Sequence, residues 1–237
     1  MLVVNRGGGR ERVSKEMLFK QYCELKKNYK VNSLIDERTK VVFVLESPHV
    51  DELVNTAPVS GLSGKAMSKV LYGDEEKEAL GIKLKKEFNS ELVEGKGKIG
   101  VMNICPIPMQ RTAYINEKVK GIYGVFNIEE YNEFFDVLEK IRVNTKATYK
   151  DENRRNMQEI VLNDFRSELE LLRNREVLFI PCGRTAETFF KVADLREEKW
   201  DVIHDQPHPS FSNWYKKRYM SNVNNMLESI HNKINGK

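Results

Sequence analysis

The sequence holds only three cysteines in 237 residues, Cys23, Cys105 and Cys182, odd in number and far apart. They form neither a disulfide framework nor a pair with metal-ligand spacing, and each reads as a small buried side chain. No metal site, iron–sulfur cluster or other cofactor is expected. No run of 18 apolar residues is present and no signal-peptide pattern, so the chain is expected to stay off membranes and in the cytoplasm. Internal repeats and low-complexity tracts are missing as well. The excess of positive charge is small, +4. It permits a nucleic-acid partner without demanding one. Hydrophobic content of 40% and charged content of 31% remain, the balance of a globular chain able to bury one core.

What the chain does have is order in its few special residues. Four short apolar runs read as strands: Val41–Leu45, Ile99–Ile104, Val177–Ile180 and Val202–Ile203. All seven prolines stand at the downstream ends of these runs or in the loops that follow: Pro48 and Pro58, Pro106 and Pro108, Pro181, Pro207 and Pro209. Three of the four histidines, His49, His204 and His208, cluster in the same way. In an open parallel sheet, strand ends that share one edge build the binding crevice. The special residues are therefore expected to converge on one site.

Helical patterns alternate with the strands. Ser14 caps a first helix to about Asn28, with Met17, Leu18, Tyr22 and Leu25 on one face. Gly64–Leu71 and Glu75–Leu92 follow the first strand. Gly95–Lys98 reads as a turn into the second. Asn127–Glu130 resembles a capping box opening a helix with Tyr131, Phe134, Phe135, Leu138 and Ile141 in the core. Asp151–Asn174, Thr185–Val192 and Trp214–Ile234 are further helices. This order predicts a three-layer α/β/α sandwich around a four-stranded, mostly parallel sheet. Residues 1–12, with Gly7-Gly8-Gly9 among arginines, read as a flexible arm, and 13–237 as a single domain.

The four loops carry chemistry-bearing residues. Loop one, Leu45–Glu52, sets Glu46, Asp51 and Glu52 beside a strand end, where a carboxylate can place water or accept a proton. Glu46 follows a buried strand and needs a partner there, whereas Glu52 reads as solvated. The loop continues through Pro58–Lys65, a glycine-rich turn opening a helix, suited to phosphate. It is not a Walker A motif, because Val59 and Ala66 stand where Gly and Ser/Thr are needed. Loop two ends its strand on Asn103, whose amide offers both a donor and an acceptor to a heterocycle edge, and goes on to Gln110 and Arg111. Loop three is Pro181–Thr185, with Arg184 placed to meet a phosphate. In loop four, His208 lies between two prolines, which fix it in a stiff extended turn. Phe211, Trp214, Tyr215 and the Lys216–Arg218 triplet then suit a nucleic-acid edge.

Taken in order, these segments resemble the uracil-DNA glycosylase superfamily. That family has a strand-end motif of the form G-E-A-P-G or G-Q-D-P-Y-H, matched by Leu45–His49, and a P-x-x-G-x-x-G segment, matched by Pro58–Gly64. An Asn strand end follows (Val101–Pro106), then a hydrophobic strand with a Gly turn (Val177–Gly183) and an H-P-S loop (His208–Ser210). The resemblance covers roughly residues 40–215. It implies base flipping followed by N-glycosidic hydrolysis. By resemblance His208 stabilises charge on the departing base, Asn103 reads the base edge, and Glu46 places water or orients the loop. Ser47, His49 and Val59 line the base pocket. Gly61, Ser63, Gly64, Lys65, Arg111, Arg184, Ser210 and Phe211 touch DNA, with Phe211 as the residue filling the gap left by the flipped base.

Three departures shape the expected substrate. Ser47 stands where some members carry an Asp. Val59 replaces the usual stacking Phe, and His49 occupies the position that can exclude the thymine methyl. A pocket without the ring points to uracil or a larger modified pyrimidine, such as a hypermodified cytosine of phage DNA. The latter would place the protein in defence rather than repair. The expected partner is DNA, single- or double-stranded, bound by a monomer. Two other readings compete: a catalytically inactive nucleic-acid-binding protein on the same fold, with Ser47 marking lost activity, and a small-molecule α/β enzyme.

Overall fold

A computed structural model describes residues 13–89, 98–195 and 197–236. The expected arm at 1–12 and most of the Gly95–Lys98 turn lie outside the described residues. Four strands, β1 (Val41–Leu45), β2 (Ile99–Asn103), β3 (Val177–Pro181) and β4 (Trp200–Val202), form one sheet in the order β2-β1-β3-β4. Every pairing is parallel. The first three strands are buried along their whole length, as expected for a parallel sheet covered on both faces.

Alternation along β1 divides the core. Val42 and Val44 face one layer, and Val41, Phe43 and Leu45 face the other, because successive side chains on a strand point to opposite faces. The first layer contains α1 (Lys15–Tyr29), α7 (Asn132–Val143), α8 (Glu152–Glu170) and α9 (Arg184–Ala193). The second contains α3 (Leu62–Tyr72), α4 (Leu80–Phe88) and α10 (Met220–Asn235). The short helices α2 (Val50–Asn55), α5 (Arg111–Tyr114) and α6 (Glu117–Tyr123) complete the loops after β1 and β2. The architecture is the three-layer α/β/α sandwich, with an all-parallel rather than mostly parallel sheet. Because β2 and β3 lie on opposite sides of β1, the chain reverses direction across the sheet there. That switch opens a crevice at the carboxyl ends of β1 and β3.

Several boundaries differ from the sequence reading for local reasons. Ser14 caps α1 by accepting the Met17 N–H at 3.1 Å. The buried stripe is Leu18, Tyr22, Leu25 and Tyr29, and Met17 is half exposed instead. Asn127 does not cap a helix; residues 128–131 form a 3-10 turn and α7 starts at Asn132. Phe134, Phe135, Leu138 and Ile141 are buried on α7 as expected. The terminal helix begins at Met220, after 3-10 turns at Ser210–Tyr215 and Lys217–Tyr219. Phe211 and Ser212 there have φ of 53° and 51°, a left-handed stretch that no α-helix can hold. Among the described residues, no helix is long and apolar enough to cross a membrane.

Candidate active site

A cavity of about 590 Å³ sits at the crevice between the strand ends. Its lining includes Glu46, Ser47 and His49 from the loop after β1, and Val59, Gly61 and Ser63 from the approach to α3. Asn103 comes from the end of β2, and His208, Ser210 and Phe211 from the loop after β4. Register explains the first meeting: Asn103 pairs with Leu45 across the parallel ladder, so both strands end at one level. The next backbone bonds, Ile104 N–H to Leu45 C=O and Cys105 N–H to Glu46 C=O, carry that level into the loops.

Asn103 is 6% exposed, and neither its Oδ1 nor its Nδ2 has a protein partner. Leaving a buried polar group unanswered costs about 1–3 kcal/mol, so such an amide facing a cavity is prepared for a ligand edge with complementary donor and acceptor. Ser47 Oγ accepts the Met109 N–H at 3.4 Å, linking the first two loops.

His208 is held from several sides. Its Nδ1 accepts the Ser210 backbone N–H at 3.1 Å and lies 2.8 Å from Ser210 Oγ. A backbone amide only donates, so Nδ1 bears no proton and the neutral ring carries its hydrogen on Nε2. Burial lowers the His208 pKa, partly opposed by the Glu46 charge. Asn213 Nδ2 donates to His208 C=O at 3.0 Å, and Trp214 Nε1 donates to Pro207 C=O at 2.8 Å. Gly183 supports the ring from below. Its φ is +87°, and a Cβ there would lie 2.8 Å from His208 Cβ.

Glu52 is not a solvated carboxylate. It accepts the His49 N–H and the Val59 N–H, both at 2.7 Å, and burial pushes its pKa up to about 7. The second bond fastens Val59, a β-branched residue at φ 46°. Such a conformation costs of order 1–3 kcal/mol and survives only where its surroundings enforce it. Gly64 permits the same turn to close, since a Cβ there would lie 1.6 Å from Val59 C=O.

A family model described as the uracil DNA glycosylase superfamily matches residues 33–228. The chain belongs to that superfamily. Among curated proteins, none matches the chain. The matched span contains all four strand-end loops, and members of the superfamily are typically N-glycosyl hydrolases acting on DNA.

Within this superfamily chain, four of the expected DNA contacts stand outside the cavity lining. Gly64 is buried in the turn packing just described. Lys65 is exposed on α3. Arg111 is engaged by Asp136 at 2.5 Å and Glu139 at 3.2 Å on α7. Arg184 donates to Thr145 C=O at 3.3 Å. His204 does not join the site either; it binds Glu187 at 2.6 Å. Conversely, the cavity gains Leu62, Gln110 and Arg142. Leu62 and Phe211 are 82% and 87% exposed, two apolar side chains at one opening. Arg142 reaches Glu46 at 3.3 Å from α7. Nothing in its sequence context marks it, because α7 reads as a core helix and its one useful polar position follows no motif. Trp214 is buried against Phe43, ring centroids 5.8 Å apart, whereas Phe211 and Tyr215 are exposed. Among the described residues, no group of three or more His, Cys, Asp or Glu is arranged to hold a metal.

Proposed function

We propose that the protein is a monofunctional DNA glycosylase that flips out uracil or a modified pyrimidine and hydrolyses its N-glycosidic bond, leaving an abasic site. The observation that carries this reading is the buried Asn103 amide, with both polar atoms unanswered by protein, in a cavity that His208 also lines. A pyrimidine edge supplies the donor and acceptor that Asn103 lacks. As the bond from C1′ to the base nitrogen breaks, negative charge grows on the departing base, and His208 Nε2–H donates to it. Water adds to C1′, and its proton passes to Glu46. The electrostatic stabilisation of such a developing anion is usually the largest single catalytic contribution.

The Val59 side chain on the cavity wall, where a stacking ring would narrow the pocket, supports a base larger than uracil; a hypermodified cytosine of phage DNA is the substrate we propose, with an antiviral role in the cytoplasm. DNA approaches across α3 and the 3-10 turns, where Lys65 and the Lys216–Arg218 triplet are exposed. Tyr215 Oη, donating to Ala66 C=O at 3.4 Å, joins these two segments.

The test is a release assay with uracil DNA and with modified phage DNA, the freed base identified by mass. His208→Ala is expected to slow release by ~10²–10³-fold with DNA affinity nearly intact, since phosphate contacts dominate binding. Tight DNA binding with no base released from either substrate would favour the inactive nucleic-acid-binding reading, for which Ser47 at the strand end is the supporting feature.

A further inference from the structure

Glu46 and His208 line one cavity with opposite duties. In the glycosylase reading, Glu46 must be an ionised acceptor for a water proton, and His208 must keep Nε2–H for the base. An unmasked carboxylate favours the imidazolium, whose Nδ1 gains a proton and can no longer accept the Ser210 N–H that orients the ring. Glu46 does bias His208 toward its charged form. A third group intervenes. Arg142 is carried to the cavity wall by α7, whose neighbouring residues Leu138 and Ile141 are fully buried. Its Nη1 lies 3.3 Å from Glu46 Oε1. The Arg142 and Glu46 side chains are only 25% and 21% exposed, so their attraction is less screened than that of a surface pair.

We propose that Arg142 is a positioning residue that holds Glu46 in an ion pair and so keeps His208 a neutral donor aimed at the base. The proposal rests on the glycosylase reading for its purpose, but the charge relation holds without DNA. The other charged groups around the cavity have different engagements. Glu52 on α2 binds the backbone of His49 and Val59, and Asp51 faces Lys118 at 3.7 Å. On α9, Arg184 binds Thr145 C=O, and Glu187 binds His204 and Lys191. From loop four, the first charged side chain after His208 is Lys216, which donates to Asn213. His49 lines the mouth and is exposed. Glu46 is therefore the charge through which Arg142 acts.

The experiment follows the His208 ring by NMR titration in the full chain, assigned by comparison with His208→Ala. Arg142→Gln is expected to raise the His208 pKa by about one unit or more, the usual effect of an unmasked opposite charge nearby. Arg142→Lys should stay close to the wild type. Combining Arg142→Gln with Glu46→Gln should return the value to or below the wild-type value, and Glu46→Gln alone should lower it. In the release assay, the acid limb of the rate profile should move up with the His208 pKa in Arg142→Gln. An unchanged His208 pKa in folded Arg142→Gln, or an equal rise in the double variant, would overturn the proposal. If Arg142→Gln does not fold, the single Glu46→Gln variant decides: no fall in the His208 pKa refutes the relation. Absence of base release by the wild type would instead count against the glycosylase reading, with the titration standing apart from it.

Discussion

Gly183→Ala is the most informative single-atom perturbation of this site. The glycine adopts φ +87° and ψ 163°, a region open essentially to glycine alone, where strain costs about 1–3 kcal/mol for another residue. The added Cβ would stand 2.8 Å from His208 Cβ, while ordinary contact begins at 3.4 Å. About 0.6 Å of movement is therefore required. The backbone at 183 cannot supply it freely, because Gly183 N–H donates to Gln206 C=O at 2.8 Å and Cys182 bridges to Gln206. The displacement falls on the His208 loop. A misplacement approaching 1 Å can lower a reaction rate by ~10²-fold. Single-turnover base release by Gly183→Ala should therefore drop by ~10–10²-fold, with DNA affinity changed little and a modest loss in Tm. Wild-type rate in the variant would refute the claim that this glycine sets the position of His208.

Other outcomes follow from the same geometry. Lys65→Ala should lower the slope of log affinity against log salt by about one, through a lost phosphate contact. Arg111→Ala should leave that slope nearly unchanged, since Asp136 and Glu139 already engage it. Phe211→Ala should impair release from paired duplex more than from single strands, because only the duplex has a stacking gap to fill; equal loss on both, with a lower Tm, would assign the ring to packing. Glu52 has a folded pKa of about 7, raised from 4.5, so its contribution to stability is full below the lower value and is lost as pH rises through about 7. Urea unfolding across that window should show this decline in the wild type and a flatter profile in Glu52→Gln.

The first three strands were legible because they are apolar runs, as parallel strands covered on both faces must be; the fourth, Trp200–Val202, is an edge strand with Asp201 exposed and shares only Val202 with the expected run Val202–Ile203. The strand-end loops were legible from proline, glycine and histidine placement. What escaped the sequence depends on partners that no local pattern encodes. Glu52 looks like any charged loop residue until its acceptors are seen to close on two backbone N–H groups. Arg142 lies on a helix whose apolar spacing dominates its signal. His204 shares the placement of His208 after the fourth strand, yet Glu187 on α9 takes it away from the cavity. Extended backbone at Lys216, φ −76° and ψ 131°, interrupts the helix that periodicity alone would have started at Trp214.

Glu46 and His208 stand 162 residues apart in the chain, and the loop bearing His208 follows β4, the three-residue edge strand that pairs last in chain order. During synthesis the first three strands can assemble while the fourth loop is still to be made. Until Trp214 arrives to cover Phe43, one face of that sheet stays incomplete. The proposed chemistry would thereby be tied to synthesis of the fourth loop: a nascent chain that stops short of it has the Asn103 pocket wall but not His208. If the chain is the glycosylase proposed, recovery of base release during refolding should lag behind the formation of secondary structure, a late clock for folding rather than an early one.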